Sequence, residues 1–323
     1  MSKAVSLSRK QVERFWRDMA VVNEGREFET DEQRQACKEA VKAMYDFAGA
    51  QIRSGIAWNW GLDMPEIDRR IEAAIPSYKS ANTDGFSEQM YFFALQATGI
   101  TDFSQTRLLD VGCGFGQGLN FLSRTTPVGE MVGLDLCQNA INYANARWAR
   151  PGLAFVCGDA EKMPFGDGEI DAVINIESSH TYPDFGRFLS EVRRVLRPGG
   201  IFSFVDVFTE ERCQRFDAMK AGSGFQWRQQ TDITAQVKSA IVKRLQPDSF
   251  LRTTLKGQGG SKFGLHNLTE PLLLVNYGAD FVDFRFSLAQ RIFRSAVTRL
   301  LLRSMSAPEI KLTSYVHHLA VKT

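Results

Sequence analysis

From residue 107 onward the chain alternates short apolar runs with stretches in which apolar residues recur every three or four positions. The runs at 107–111, 131–134, 153–156, 172–176 and 201–206 are more continuously apolar than a half-solvated strand, and they predict strands covered on both faces. Between them, helical spacing covers 119–124, 138–148 and 185–196, and Arg197-Pro198-Gly199-Gly200 turns the last of these back into a strand. Such alternation predicts an α/β fold, a doubly wound parallel sheet whose ligands sit beyond the carboxyl ends of its strands.

Residues 1–100 carry a helical pattern instead. Val12, Phe15, Trp16 and Met19 share one spacing, Ala36, Ala40, Ala43, Met44 and Phe47 another, and a further helix at 87–98 carries Met90, Tyr91, Phe93, Ala94 and Leu95. Gly61 and Pro65 break the pattern in WNWGLDMPE, whose Trp58 and Trp60 either cap a cavity or pack this segment on the core, the second being favoured. After the fifth strand comes an insert, 207–278, with Phe208, Phe216, Met219, Phe225, Trp227, Phe250 and Phe263 beside the glycine-rich KGQGGSKFG. It suits a cap over a hydrophobic ligand, and equally a helical insert buried by its own aromatics. Further strands are predicted near 279–287 and 314–321. Between these, 288–305 sets Ile292, Phe293, Val297, Leu300 and Leu301 beside Arg291, Arg294, Arg299 and Arg303. A basic amphipathic helix can meet an anionic membrane surface or a phosphate, but a helix packed on the sheet with a solvated arginine face is favoured. The expected organisation is a helical N-terminal lid (1–100), a cofactor-binding core (101–206), a substrate-side insert (207–278) and C-terminal strands completing the sheet (279–323).

Composition narrows the class. The 323 residues are 44% hydrophobic and 11% aromatic, as in a soluble globular protein, and a formal charge of +2 gives no support to a nucleic-acid partner. The opening MSKAVSLSRKQVERFW has no apolar core, and nowhere is there an apolar run of about 18 residues, so a cytoplasmic protein is expected; a homodimer is compatible with this reading. The five cysteines form no CxxC, which fits a reducing compartment. Cys113, Cys137 and Cys157 each follow a strand, but without paired ligand spacing no metal is expected, and they read as small residues around a bound molecule.

The chemistry centres on LLDVGCGFGQG, residues 108–118, where an apolar strand ends at Asp110 and turns on Gly112, Gly114, Gly116 and Gly118 into a helix. Such a loop needs positive φ angles and lets a ligand approach bare backbone. Gln117 stands where a dinucleotide fingerprint wants glycine, and Leu119-Asn120 where a P-loop wants Lys-Ser/Thr, so recognition through a pyrophosphate is the weaker reading. Asp135 follows the second strand, about twenty residues beyond the glycines, where a carboxylate can bind both ribose hydroxyls. Asp159 follows the third, where it can accept from an adenine amine while Ala160 offers its N–H.

In order and spacing, DVGCGFGQG, GLD, GDAEKMPF, the acidic entry to the fourth strand and VLRPGG resemble the class I S-adenosylmethionine-dependent methyltransferases over roughly residues 80–210. NIESSHTYPDFGRFLSEVRRVLRPGG is more closely similar to their lipid and natural-product branch, which includes phthiotriol dimycocerosate, fatty-acid and rebeccamycin-type sugar O-methyltransferases. The resemblance implies a Rossmann-like, seven-stranded sheet with its last strand antiparallel. It implies that Asp110, Gly112, Gly114 and Gly116 hold the methionine portion, Asp135 the ribose, Asp159 and Ala160 the adenine, and Asn175 and Ile176 the region under the sulfonium, with Gln117 and Leu136 as additional contacts.

Methyl transfer to a hydroxyl needs a base. His180, a few residues past the fourth strand, is the candidate, and Asp206 at the end of the fifth can orient it, as the resemblance to the sugar O-methyltransferases also implies. Glu177 is a second candidate base or a structural acceptor. His266 lies in the insert, and His317 and His318, adjacent on a strand, should face opposite sides. The expected reaction is O-methylation of a hydroxyl on a hydrophobic lipid, polyketide or glycosylated metabolite. The alternatives are C-methylation of a prenyl or indole-type acceptor, with Arg291 and Arg294 on a diphosphate, and a non-catalytic cofactor-binding subunit.

Overall fold

In a computed structural model of the chain, which describes residues 8–51, 58–80, 83–251, 253, 278, 281–283 and 310–323, seven strands form one sheet. They are β1 (Arg107–Val111), β2 (Glu130–Asp135), β3 (Leu153–Cys157), β4 (Ile170–Ile176), β5 (Leu196–Phe208), β6 (Phe225–Asp232) and β7 (Ser314–Lys322), in the order β3-β2-β1-β4-β5-β7-β6. All neighbours are parallel except β7, which runs antiparallel to both β5 and β6. The order reverses between β1 and β4, and the register there (Val111 beside Leu134, Asp135 beside Cys157) brings the strand ends level. This makes a switch-point crevice.

One face is covered by α3 (Pro65–Ala74), α4 (Phe86–Gln96), α5 (Gln117–Thr125), α6 (Gln138–Trp148) and α9 (Thr234–Arg244). The other is covered by α7 (Phe185–Val195) and α8 (Glu210–Lys220), through Phe188, Leu189, Val192 and Phe216. The N-terminal α1 (Arg9–Asn23), whose Ser8–Gln11 capping box closes its first turn, pairs with α2 (Asp31–Gln51) around Phe15, Met19, Cys37 and Val41.

The sixth strand is not where the apolar pattern put it. Of the expected strand at 279–287, Phe281–Asp283 form a turn and the rest lies outside the described residues; the edge position is filled by β6, from within the insert. In FQWRQQTD only Phe225 and Trp227 turn inward while the other face meets solvent, so an edge strand with two apolar residues carries little signal. The insert's Phe208, Phe216, Phe225 and Trp227 pack against the sheet rather than over a cavity. Phe263, His266, KGQGGSKFG and the arginine-rich 288–305 lie outside the described residues.

His317 and His318 do face opposite sides. His317 Nε2 is 3.0 Å from Ser203 Oγ, whereas His318 sits among Phe204, Phe208, Phe216 and Trp227, neither nitrogen having a hydrogen-bond partner among the described residues. Burial lowers His317 to about 4 and His318 to about 2, from an ordinary 6.5. Both are therefore neutral when folded but protonate when unfolded, so the stability they retain above pH 6.5 is lost as pH falls toward 4, by up to about 1.4 kcal/mol per unit per group. Urea midpoints measured between pH 7.5 and 4.5 should fall accordingly, and His318→Leu should flatten that fall by about one proton's slope; an unchanged slope would refute the assignment.

Candidate active site

Beyond the carboxyl ends of β1 to β4 lies a cavity of about 1100 Å³, counting its open mouth. Gly112, Gly114, Gln117, Asp135, Leu136, Asp159, Ala160, Ile176 and Glu177 line it, so nine of the residues singled out in the sequence converge. Asp110, Gly116, Asn175, His180 and Asp206 do not line it.

The glycine loop is shaped by both conformation and space. Gly112 takes φ +81, and a Cβ there would fall 2.3 Å from Ser178 Oγ; at Gly114, φ +54, a Cβ would meet nothing within 4 Å. Gly116 begins α5 at φ +78, and a Cβ there would strike the Phe155 ring at 2.6 Å, so this third glycine serves helix–strand packing. The loop is tied down by Asp135, whose Oδ2 accepts from Gly114 N–H at 2.9 Å and Oδ1 from Cys137 N–H at 2.8 Å.

Asp110 is wholly buried, and neither of its oxygens has a hydrogen-bond partner among the described residues. Burial pushes it up to about 8, the Tyr91 hydroxyl opposing and the Asp135 charge adding to the rise. Asn175 is a buttress: its amide nitrogen lies 2.7 Å from Val111 O and 2.8 Å from Ser178 Oγ, joining the end of β1 to the turn after β4. Asp159 is held by Lys38 of α2, whose ammonium lies 2.6 Å from both Asp159 and Glu161.

After β4 the short helical turn Ser179–Thr181 carries His180. Its Nδ1 is 2.8 Å from Asp206 Oδ1, and its backbone N–H donates to Oδ2 at 2.9 Å. Asp206 is fully buried; burial alone would raise it, but His180, the Arg212 guanidinium at 3.3 Å and the Ser179 hydroxyl hold it well below the usual carboxylate range. The ionised carboxylate keeps the proton on Nδ1 and leaves the Nε2 lone pair for a base. His180 itself is 21% exposed, and Asn23 of α1 donates to its carbonyl at 3.1 Å.

Glu177 takes φ +50, a region few non-glycine residues adopt. Its Oε2 accepts from Trp60 N–H at 2.6 Å and from the Tyr315 hydroxyl, and burial pushes its carboxyl up to about 7. Trp58 lines the cavity beside Tyr45 and Phe115, while Trp60 packs on Phe281 and Tyr315, so each of the two readings of the tryptophans holds for one. Lys38 and Tyr315 were not legible as site residues, since each arrives from more than a hundred positions away; Tyr91 and Arg212 were not, since on a helix neither stands at a strand exit. Among the described residues there is no cluster of three metal-ligating side chains, and all five cysteines are free.

The sheet order, with its antiparallel β7, and the cavity at the strand ends define a Rossmann-like fold with a ligand site at its switch point. Residues 109–204 match the family model described as a methyltransferase domain. The chain is similar to the fatty-acid O-methyltransferase of Mycolicibacterium smegmatis, 36% identical over 65% of this chain and 75% of that protein. It is also similar to phthiotriol/phenolphthiotriol dimycocerosates methyltransferase 1 of Mycobacterium ulcerans, 42% identical over 57% of this chain and 65% of that one. Its fold resembles geranyl diphosphate C-methyltransferase from Streptomyces coelicolor A3(2), with TM-score 0.55, 15% identity and coverage of 89% of this chain and 98% of that. It likewise resembles the [4+2]-cyclase SpnF, with TM-score 0.56, 18% identity and coverage of 88% and 96%. The chain belongs to the S-adenosylmethionine-dependent methyltransferases, and S-adenosylmethionine is its cofactor. The reading as a non-catalytic subunit gives way to an enzyme.

The residues present fit that cofactor: bare backbone at Gly114, carboxylates after β2 and β3, and a buried Asp110 with unmet acceptors suit a ligand rich in hydroxyl and amine donors. Asp135→Ala removes the acceptor of two loop N–H groups, a loss of about 1–3 kcal/mol, or roughly ten- to hundredfold in cofactor affinity. Calorimetric titration with S-adenosylmethionine checks this, and an unchanged Kd would refute the anchoring role.

Proposed function

We propose that the protein transfers a methyl group to a hydroxyl oxygen of a hydrophobic, lipid-like small molecule, with His180 as the base and Asp206 orienting it. The carrying observation is the His180–Asp206 pair, with Nδ1 engaged and Nε2 without a partner among the described residues. Relatives named for fatty-acid and phthiotriol methylation support the acceptor class. The base distinguishes between acceptors: a fatty-acid carboxylate is ionised at neutral pH and needs none, while a hydroxyl must lose its proton.

S-adenosylmethionine supplies the electrophilic methyl group. In this reading Gly112 and Gly114, with Asp110 beneath them and Gly116 setting the turn, receive the methionine end. Asp135 takes the ribose, Asp159 and Ala160 the adenine, Ile176 the wall below the sulfur, and Asn175 holds that wall in place; Gln117 and Leu136 add contacts. His180 draws the hydroxyl proton to Nε2, and the ionised Asp206 stabilises the imidazolium so formed. The proposal carries a cytoplasmic setting, supported by the five free cysteines.

His180→Ala should lower turnover by about 10²–10⁴-fold while leaving cofactor Kd nearly unchanged; loss of cofactor binding would sink the base assignment. Methyl-labelled cofactor supplied with long-chain fatty acids and lipid diols, with the product located by mass spectrometry and NMR, should place label on a hydroxyl oxygen. Label on carbon would overturn this reading in favour of C-methylation, and label on a carboxylate would remove the need for a base.

A further inference from the structure

Among the described residues, five carboxylates line the cavity, and four already have their charge accommodated. Asp46 pairs with Lys42 at 3.1 Å, Asp159 and Glu161 share Lys38, and Asp135 receives one backbone N–H on each oxygen. Glu177 differs. Both of its neutral donors, the Trp60 N–H and the Tyr315 hydroxyl, meet the same oxygen, Oε2. Oε1 accepts nothing from the described residues, yet it is not among the sealed, unpartnered atoms, so it remains accessible. No described lysine or arginine forms an ion pair with this carboxylate. Its backbone is held in the left-handed region by Glu177 N–H donating to Val205 O at 2.8 Å, and the next residue, Ser178, sits against Gly112.

We propose that Glu177 is the group by which this protein tells its charged cofactor from the uncharged product: ionised, it is the counter-charge of the methylsulfonium, and it takes up a proton once the neutral thioether is left. The inference rests on S-adenosylmethionine being the cofactor and is independent of the acceptor and of His180 as base. On cofactor binding the proton leaves Glu177 for solvent. After methyl transfer, when the sulfur is no longer cationic, a proton from solvent returns.

The electrostatics run in that direction. Burial favours the neutral acid, while the two hydrogen bonds to Oε2 favour the ionised one, leaving the group at about 7. The neighbouring charges are mixed: Asp206 on β5 raises Glu177, His180 on the turn after β4 lowers it, and Tyr45 on α2 and Tyr315 on β7 are neutral phenols. A fixed positive charge entering the cavity must lower the pKa further. By linkage, ionised Glu177 must then tighten the binding of that cation by the same factor. S-adenosylhomocysteine, lacking the charge, gains nothing. Affinity for the methylated cofactor should therefore rise with pH up to about 7 and level off above it, whereas affinity for the product should not.

Calorimetric titration at pH 6.5 and 8.5, in two buffers of different ionisation enthalpy, counts the protons released. Any proton lost from Asp110 to the methionine ammonium is common to all three ligands; beyond that shared release, S-adenosylmethionine and sinefungin, which carries an ammonium in place of the sulfonium, should each release an additional part of a proton at pH 6.5 and almost none at pH 8.5, and S-adenosylhomocysteine should show no such excess at either. In Glu177→Gln the excess release of cofactor over product should vanish, and the preference for cofactor over product should fall by up to about tenfold per pK unit of coupling. Tyr315→Phe, which removes a donor to the ionised form, should move the pH window upward. Equal release with cofactor and product, an excess of cofactor over product that persists in Glu177→Gln, or an unmoved window in Tyr315→Phe would each overturn the proposal. Failure of all three ligands to bind would instead count against the cofactor assignment.

Discussion

A parallel sheet covered by helices on both faces leaves polar side chains one place to gather, the rim where its strands end. The Asp135 carboxylate exploits that constraint, binding Gly114 N–H with one oxygen and Cys137 N–H with the other. These two bonds satisfy donors that the glycine turn and the start of α6 would otherwise leave unmet. They also clamp the exits of β1 and β2 to each other. Asn175 does the equivalent between β1 and β4 through Val111 O. With the rim braced at both points, the cavity is a fixed feature of the sheet.

The N-terminal helices are joined to this rim by charge and by hydrogen bonds at the carbonyls of its turns. Lys38 reaches from α2 to Asp159 and Glu161, and Asn23 from α1 to the carbonyl of His180, while the Thr209 hydroxyl donates to Asn23 O. On the other side, the buried Arg244 is bidentate to Asp84 and donates to Asn59 O at 2.8 Å, fixing the segment whose Trp60 N–H meets Glu177. A buried ion pair of this kind adds little net stability but specifies one arrangement. Here the arrangement it specifies aims a backbone donor at a carboxylate of the cavity.

Strands β1, β2, β4 and β5, and the edge strand β3 (LAFVC), were legible because each is a nearly continuous apolar run; β6, at the opposite edge, was not, because only its Phe225 and Trp227 turn inward. The same contrast holds at the site. Gly112, Gly114, Asp135 and Asp159 stand at strand exits, where spacing alone locates them. Gly116 and Asn175 share those exits but spend their special properties on packing and bracing, a distinction that depends on Phe155 and Val111. Lys38 to Asp159 spans 121 positions and Tyr315 to Glu177 spans 138, and no local pattern encodes a meeting at that range.

The position of β7 sets an order of events. It is inserted between β5 and β6 although it follows both in the chain, so until it arrives those two strands present unpaired edges and the sheet is open. Closing it joins residues far apart in the chain, Tyr315 meeting Thr234 across 81 positions, the slow, entropically costly class of contact. Tyr315 travels on that strand. The half of the molecule that carries the glycine turn and Asp135 can thus assemble early, whereas Glu177 acquires its phenolic partner only when the last strand zips in.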